Sequence, residues 1–145
     1  MSRAIVLDAG PLGMLAHPRR NVEIAQWFER LAMSGTEIML PEIADYEVRR
    51  NLLLEGLHES IGRLNQLKTV LTYLPLTTET MLKAAELWAE ARRRGKPTAD
   101  AKALDADVIL AAQALYANAT VATDNVGHLS LFVDAKNWRE IPPTL

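Results

Sequence analysis

The sequence predicts an α/β protein of three layers, with a central parallel sheet of four to five strands between layers of helices. Three observations carry this expectation. Ala4 to Leu7 is an unbroken apolar run, as in a strand buried on both faces. Similar short runs recur at Glu37 to Leu40 and Thr120 to Ala122, separated by long segments of helical periodicity. Strand alternating with helix implies βαβ units, whose right-handed crossovers gather the strand C-termini on one side.

Asp8-Ala9-Gly10-Pro11 breaks the first strand. Asn21 is placed to cap a helix reaching about Met33, where Ile24, Trp27, Phe28 and Leu31 recur at helical spacing and Gly35 stops it. Strand two, Glu37 to Leu40, ends at Pro41, and a helix follows to Leu54 with Gly56 as its break. Leu57, Ile61, Leu64, Leu67 and Leu71 form a further helical stripe, so the two helices read as a hairpin. Tyr73 to Leu76 reads as a short third strand interrupted by Pro75. Thr78 can cap a helix carrying Met81, Ala84, Ala85 and Trp88, stopped by Gly95. Gly95 to Lys102 reads as a polar loop, and Asp105 as the cap of an Ala-rich helix to about Ala117. Thr120 to Ala122 is strand four, and Trp138 to Ile141 is expected to be a fifth. Trp27, Trp88 and Leu110 fall on helical stripes and read as core, and Trp138 as core or interface.

A chain of 145 residues suits a single domain, 1–145, with a real core. The absence of cysteine excludes disulfides and thiolate metal sites, and the three scattered histidines lack zinc-ligand spacing. No segment approaches the ~20 apolar residues of a membrane span. The apolar run after Met1-Ser2-Arg3 is too short for a signal peptide, so a cytoplasmic location is the default. A net charge of −2 excludes nucleic-acid binding by overall charge. Attraction would have to be local, at Arg19-Arg20, Arg49-Arg50 or Arg92-Arg93-Arg94 with Lys96.

The acidic residues point to chemistry. Asp8, Glu47, Asp105 with Asp107, and Asp124 with Asn125 each sit where a strand ends or a helix begins. In a parallel α/β sheet such places converge on the edge where ligands bind. A cluster of hard oxygen ligands there suits Mg²⁺ or Mn²⁺. A carboxylate at Asp8 is costly to bury unless paired, hydrogen-bonded or metal-bound. Glu47 shares a helical line with Ile43, Leu54 and Leu57, which suggests that it points inward. Glu42 and Asp45 read as first-turn residues that favour the helix dipole. Asp105 is assigned the cap and Asp107 the metal, with the reverse allowed. Thr123-Asp124-Asn125 suits turn chemistry and also offers oxygens to a metal or water. His128 reads as a structural loop histidine unless it reaches the cleft.

Four segments together resemble a PIN-domain ribonuclease, and more narrowly a VapC-type toxin of a toxin–antitoxin pair. They are Val6 to Pro11, Leu40 to Arg50, Leu104 to Ala112 and Thr123 to Leu129. The resemblance implies that Asp8, Glu47 and Asp107 are the three core acidic residues. It places the fourth on Asn125, with Asp124 as the neighbour that could replace it, and Thr123 as the hydroxyl residue at the strand end. It further implies Mg²⁺ or Mn²⁺ dependence, an RNA substrate, a homodimer and a cognate antitoxin that blocks the cleft. Arg49 and Arg50, which directly follow Glu47, are the expected phosphate-binding residues.

The leading expectation is therefore a metal-dependent endoribonuclease. Asp8, Asp107 and Glu47 would hold the ion, with Asp105 and Asp124 as further candidate ligands, while Asn125 and Thr123 position water. A PIN-like RNA- or protein-binding module with weak catalysis is the alternative, motivated by Asn125 and the acidic net charge. An aspartyl-nucleophile phosphatase is disfavoured because Gly10 stands where a second aspartate would be needed.

Overall fold

The computed structural model describes residues 4–19, 21–95 and 101–143, with the side chains of 101–103 left aside. β1 (Ala4–Leu7) lies at the middle of a five-stranded parallel sheet that also contains β2 (Glu37–Pro41), β3 (Thr72–Leu74), β4 (Thr120–Thr123) and β5 (Ala135–Asn137). The order is β3-β2-β1-β4-β5. β1 pairs with β2 on one side, Val6 opposite Met39, and with β4 on the other, Leu7 opposite Ala122.

Alternate residues of the strands serve opposite faces. Ile5, Leu7, Ile38 and Leu40 pack against α1 (Ala9–Ala16), α2 (Val22–Met33), α3 (Glu42–Glu55) and α4 (His58–Val70). Val6, Met39 and Val121 face Leu110 and Ala114 of α6 (Ala101–Ala117). α5 (Thr78–Arg93) lies against α6, with Ala84 and Leu87 packed near Leu104, Val108, Ala111 and Ala112. This is the expected three-layer arrangement.

Local chemistry sets most boundaries. Asn21 caps α2 by accepting the Ile24 N–H at 3.1 Å, as expected. Gly56 ends α3 at φ 68°, a left-handed conformation that glycine adopts without cost. The cap of α5 is Thr77 rather than Thr78, its hydroxyl accepting the Thr80 N–H at 3.0 Å.

Four expectations need correction. Asp8-Ala9-Gly10-Pro11 is not simply a break but the start of α1; Pro11 lies in the first turn, where its missing N–H has no helical partner to lose. β3 spans Thr72–Leu74, so Pro75 follows the strand instead of interrupting it. The fifth strand is Ala135–Asn137, while Trp138–Glu140 forms a 3₁₀ turn. The helix expected from Asp105 begins at Ala101, so Asp105 is internal and caps nothing. The loop foreseen from Gly95 to Lys102 falls mostly on residues 96–100, outside the described residues, as do Arg20 and Lys96.

The chain leaves β1 toward β2 and β3, then returns to add β4 and β5 on the other flank. The carboxyl ends of β1 and β4 thus form a topological switch point, the usual crevice for a ligand in an open α/β sheet.

Candidate active site

Asp8 is the first residue beyond β1, and its N–H still donates to the Ala122 carbonyl at 3.0 Å. The carboxylate caps α1, where Oδ1 accepts the Ala9 N–H at 2.7 Å. Oδ2 accepts the Thr123 hydroxyl, also at 2.7 Å. Thr123 ends β4 and is 1% exposed; its oxygen accepts the Asn125 N–H at 3.0 Å. Strand pairing and helix capping together hold this carboxylate at the crevice.

Glu47 stands on α3 and Asp107 on α6, and the Asp8 charge acts on both. Burial pushes the Asp107 carboxyl up to about 6, the Asp8 charge pushes it the same way, and His128 opposes both. Burial also raises Glu47, helped by Asp8 and Asp107 and opposed by Arg50. Asp8 is raised chiefly by burial, against the Thr123 and Ala9 hydrogen bonds, with Asp124 adding repulsion. Three carboxylates from three elements therefore feel one another's charge. His128, set aside in the sequence unless it reached the cleft, does act on Asp107.

Asp105 does not join them. It lies two residues before Asp107, about 200° away around the helix, and lines a groove against α5 with Met81 and Trp88. Glu47 is half-buried, but not because of its expected apolar line: Leu54 is 85% exposed. The buried residues of α3 are Ile43, Ala44, Asp45, Val48 and Leu52, so of the expected line Ile43 is buried and Leu54 is not. Asp45 and Glu42 do more than favour a dipole. Asp45 is buried and pairs with Arg49 through contacts of 2.9 and 3.2 Å. Glu42 accepts the Leu76 N–H at 2.7 Å.

At the fourth corner, Asp124 Oδ1 accepts the indole N–H of Trp138 at 2.8 Å. Its Oδ2 lies 2.4 Å from where a Cβ on Gly10 would stand. Asn125 turns its side chain toward Gly127, where a Cβ would meet its Oδ1 at 2.8 Å. The sequence offered no sign of Trp138 and Gly10 as companions of Asp124.

Of the two candidate phosphate-binding arginines, Arg49 is committed to Asp45. Arg50 lies over the Tyr46 ring at 5.2 Å and 3.9 Å from Glu47. It lines a cleft of about 560 Å³ between α1 and α3, shared with Glu47, Gly10, His17 and Arg19. In the other basic run, Arg94 pairs with Glu90 at 2.7 Å and Arg92 stacks on Trp88 at 5.2 Å.

The raised carboxyls predict a pH effect on the metal-free protein. Asp107 would ionise near 3.8 when unfolded but holds its proton to about 6 in the fold. Between those values the native state binds more protons, so stability falls as pH rises. Asp107 is partly exposed, and solvent screening leaves about 1 kcal/mol. Calorimetry should show Tm lower by about 3 °C at pH 7.5 than at pH 5. A Tm that climbs over that interval would contradict the raised Asp107 carboxyl.

The donor set has the chemistry of a Mg²⁺ or Mn²⁺ site: hard carboxylate oxygens whose repulsion a cation would relieve. Among the described residues, no group of three His, Cys, Asp or Glu side chains is close enough to hold an ion. Mg²⁺ commonly keeps several waters. The donor types suit such an ion, and an ion here would have to be held largely through water.

Residues 5–129 match the family model of the PIN domain. Among curated proteins compared by sequence, none matches the chain. FitAcB from Neisseria gonorrhoeae aligns with a TM-score of 0.72 at 26% identity, covering 94% of this chain and 99% of that one. VapBC2 from Rickettsia felis, solved bound to a DNA fragment from their promoter, aligns at 0.76 with 17% identity over 93% and 98%. VapBC-1 from nontypeable Haemophilus influenzae aligns at 0.70 with 18% identity over 94% and 99%. At the two lower identities the likeness is one of fold. The family match takes in Asp8, Glu47, Asp107 and the Thr123-Asp124-Asn125 corner, and on its extent the chain belongs to the PIN-domain family.

Proposed function

We propose that this chain is a metal-dependent endoribonuclease, the toxin component of a VapBC-type toxin–antitoxin module, acting in the cytoplasm as a homodimer. The observation that carries the reading is the PIN-domain match over residues 5–129, which takes in Glu47, Asp107 and the Asp8 carboxylate held at the β1–β4 crevice by Ala9 and Thr123. The likeness to the FitAcB and VapBC structures supports the toxin–antitoxin context. Among the described residues no helix is long and apolar enough to cross a membrane.

In this reading Asp8 and Asp107, with Glu47, hold Mg²⁺ or Mn²⁺ directly or through water. When bound, the ion supplies an activated water and a counter-charge for the scissile phosphate. Thr123 fixes the rotamer of Asp8 by donating to Oδ2. Asn125, whose N–H donates to the Thr123 hydroxyl oxygen, and Asp124 complete that corner. Arg50 and Arg19, on the same cleft as Glu47, bind flanking phosphates. Arg49, held by Asp45, supports α3 instead. A cognate antitoxin would cover this cleft.

The lack, among the described residues, of three acids close enough to hold an ion, together with the amide at Asn125, favours a second reading, a PIN-like module that binds RNA or protein with weak catalysis. Incubation of the purified chain with structured RNAs separates the two. The expected result is discrete cleavage with Mg²⁺ or Mn²⁺ that EDTA abolishes, and growth arrest on expression that a short antitoxin encoded beside the gene relieves. RNA binding without cleavage of any substrate would favour the module.

A further inference from the structure

We propose that Trp138 is a positioning residue: its indole N–H and the bare backbone of Gly10 seat the Asp124 carboxylate against the first turn of α1, which Asp8 caps, making Asp124 rather than Asn125 the fourth residue presented to the metal. This rests on the metal-site reading above and adds to it a residue outside the carboxylate set.

Asp124 lies in an exposed turn, yet both its oxygens are in defined places. Oδ1 receives the Trp138 N–H at 2.8 Å. Trp138 is 1% exposed, and an indole buried to that degree requires a partner for its one donor. The ring itself is fixed. Trp27 meets it edge-on at 5.5 Å between centroids, and the Arg139 guanidinium covers it at 4.3 Å. Arg139 is in turn anchored to Glu23 at 3.2 Å. Trp27 spends its own N–H on the Ile141 carbonyl at 3.0 Å, so it does not compete for Asp124.

The other oxygen explains Gly10. Oδ2 occupies the space that any larger residue would fill, since a Cβ there would stand 2.4 Å away. Gly10 has no positive φ, so its value is room and not backbone freedom. Seated this way, Asp124 adds its charge to the repulsion felt by Asp8. An indole donor holds the carboxylate without neutralising it, as partners behind metal ligands commonly do. Asn125 enters the same corner through its backbone N–H on Thr123, while its amide lies over Gly127.

The chain has three tryptophans, so a ¹⁵N spectrum carries three indole signals. Asp124→Ala and Gly10→Ala should each shift the Trp138 indole signal, because the first removes its acceptor and the second displaces it. Mn²⁺ titrated against the apo protein should bind about tenfold more weakly to Trp138→Phe and to Gly10→Ala than to wild type. If Trp138→Phe loses its fold by circular dichroism, Gly10→Ala, which leaves the indole intact, carries the test. An indole signal unmoved by Asp124→Ala, or wild-type Mn²⁺ affinity in the folded variants, overturns the role of Trp138 alone. A wild-type chain that binds no Mn²⁺ overturns the metal site and this inference together.

Discussion

Asp8→Asn is expected to lower RNA cleavage about a thousandfold while leaving the protein at least as stable as wild type. A thousandfold loss corresponds to about 4 kcal/mol of transition-state stabilisation. Asparagine is as good an N-cap as aspartate, so the Ala9 N–H keeps an acceptor. The Thr123 hydroxyl, which donates to Oδ2, can rotate to accept from an amide instead. What disappears is the negative charge, and with it the repulsion on Glu47 and Asp107. Fold and activity should therefore separate cleanly. Single-turnover cleavage and thermal melts on the same preparation read both. Cleavage within tenfold of wild type would remove Asp8 from the chemistry, and a large fall in Tm would make it chiefly a structural cap.

Gln113→Leu should cost about 2–3 kcal/mol, the largest single-residue loss of stability expected here. α3 starts directly after Pro41, which makes no side-chain capping bond. The Ile43 N–H, an orphan donor of the first turn, is met from α6 by Gln113 Oε1 at 3.2 Å. The same amide donates to the Leu74 carbonyl at 2.8 Å. Gln113 is 3% exposed, so leucine would fill its volume but leave a buried donor and a buried acceptor unpaired. This one side chain ties β3 and α3, which carries Glu47, to α6, which carries Asp107. Urea titration should show a lower midpoint with unchanged slope, and cleavage should fall well below the melting temperature. A loss under about 0.5 kcal/mol would mean that water replaces the amide.

Elements whose own residues determine them were legible. The apolar run at Ala4–Leu7, the Asn21 cap and the Gly56 stop each act through local chemistry. α1 was not, because Gly10, Pro11 and Gly13 crowd eight residues with poor helix formers. It is held from outside, by the Asp8 cap and by packing on α3, where Gly13 faces Val48. β5 was misplaced for a related reason. Trp138 and Ile141 supply the hydrophobicity of that segment, but the strand is the less apolar Ala135–Asn137, defined by pairing with β4. Aspartate's preference for caps suggested that α6 starts at Asp105, and that preference was outweighed by four further helical residues upstream. Glu47 was singled out for an apolar line that the structure breaks at Leu54, although the residue itself does reach the acids. The contact between Asp124, Trp138 and Gly10 joins a loop, a 3₁₀ turn and a helix, and only the assembled sheet brings them together.

The strand order also sets a schedule. β1, β2 and β3 are adjacent in both sequence and space, so that half can pair as it emerges from the ribosome. The partner on the other flank of β1 begins only at Thr120, after Asp107 has been made. Until β4 docks, the crevice lacks Thr123 and Asp124 and has no opposing wall. For the nuclease proposed here, the site would be complete only once β4 has docked on β1.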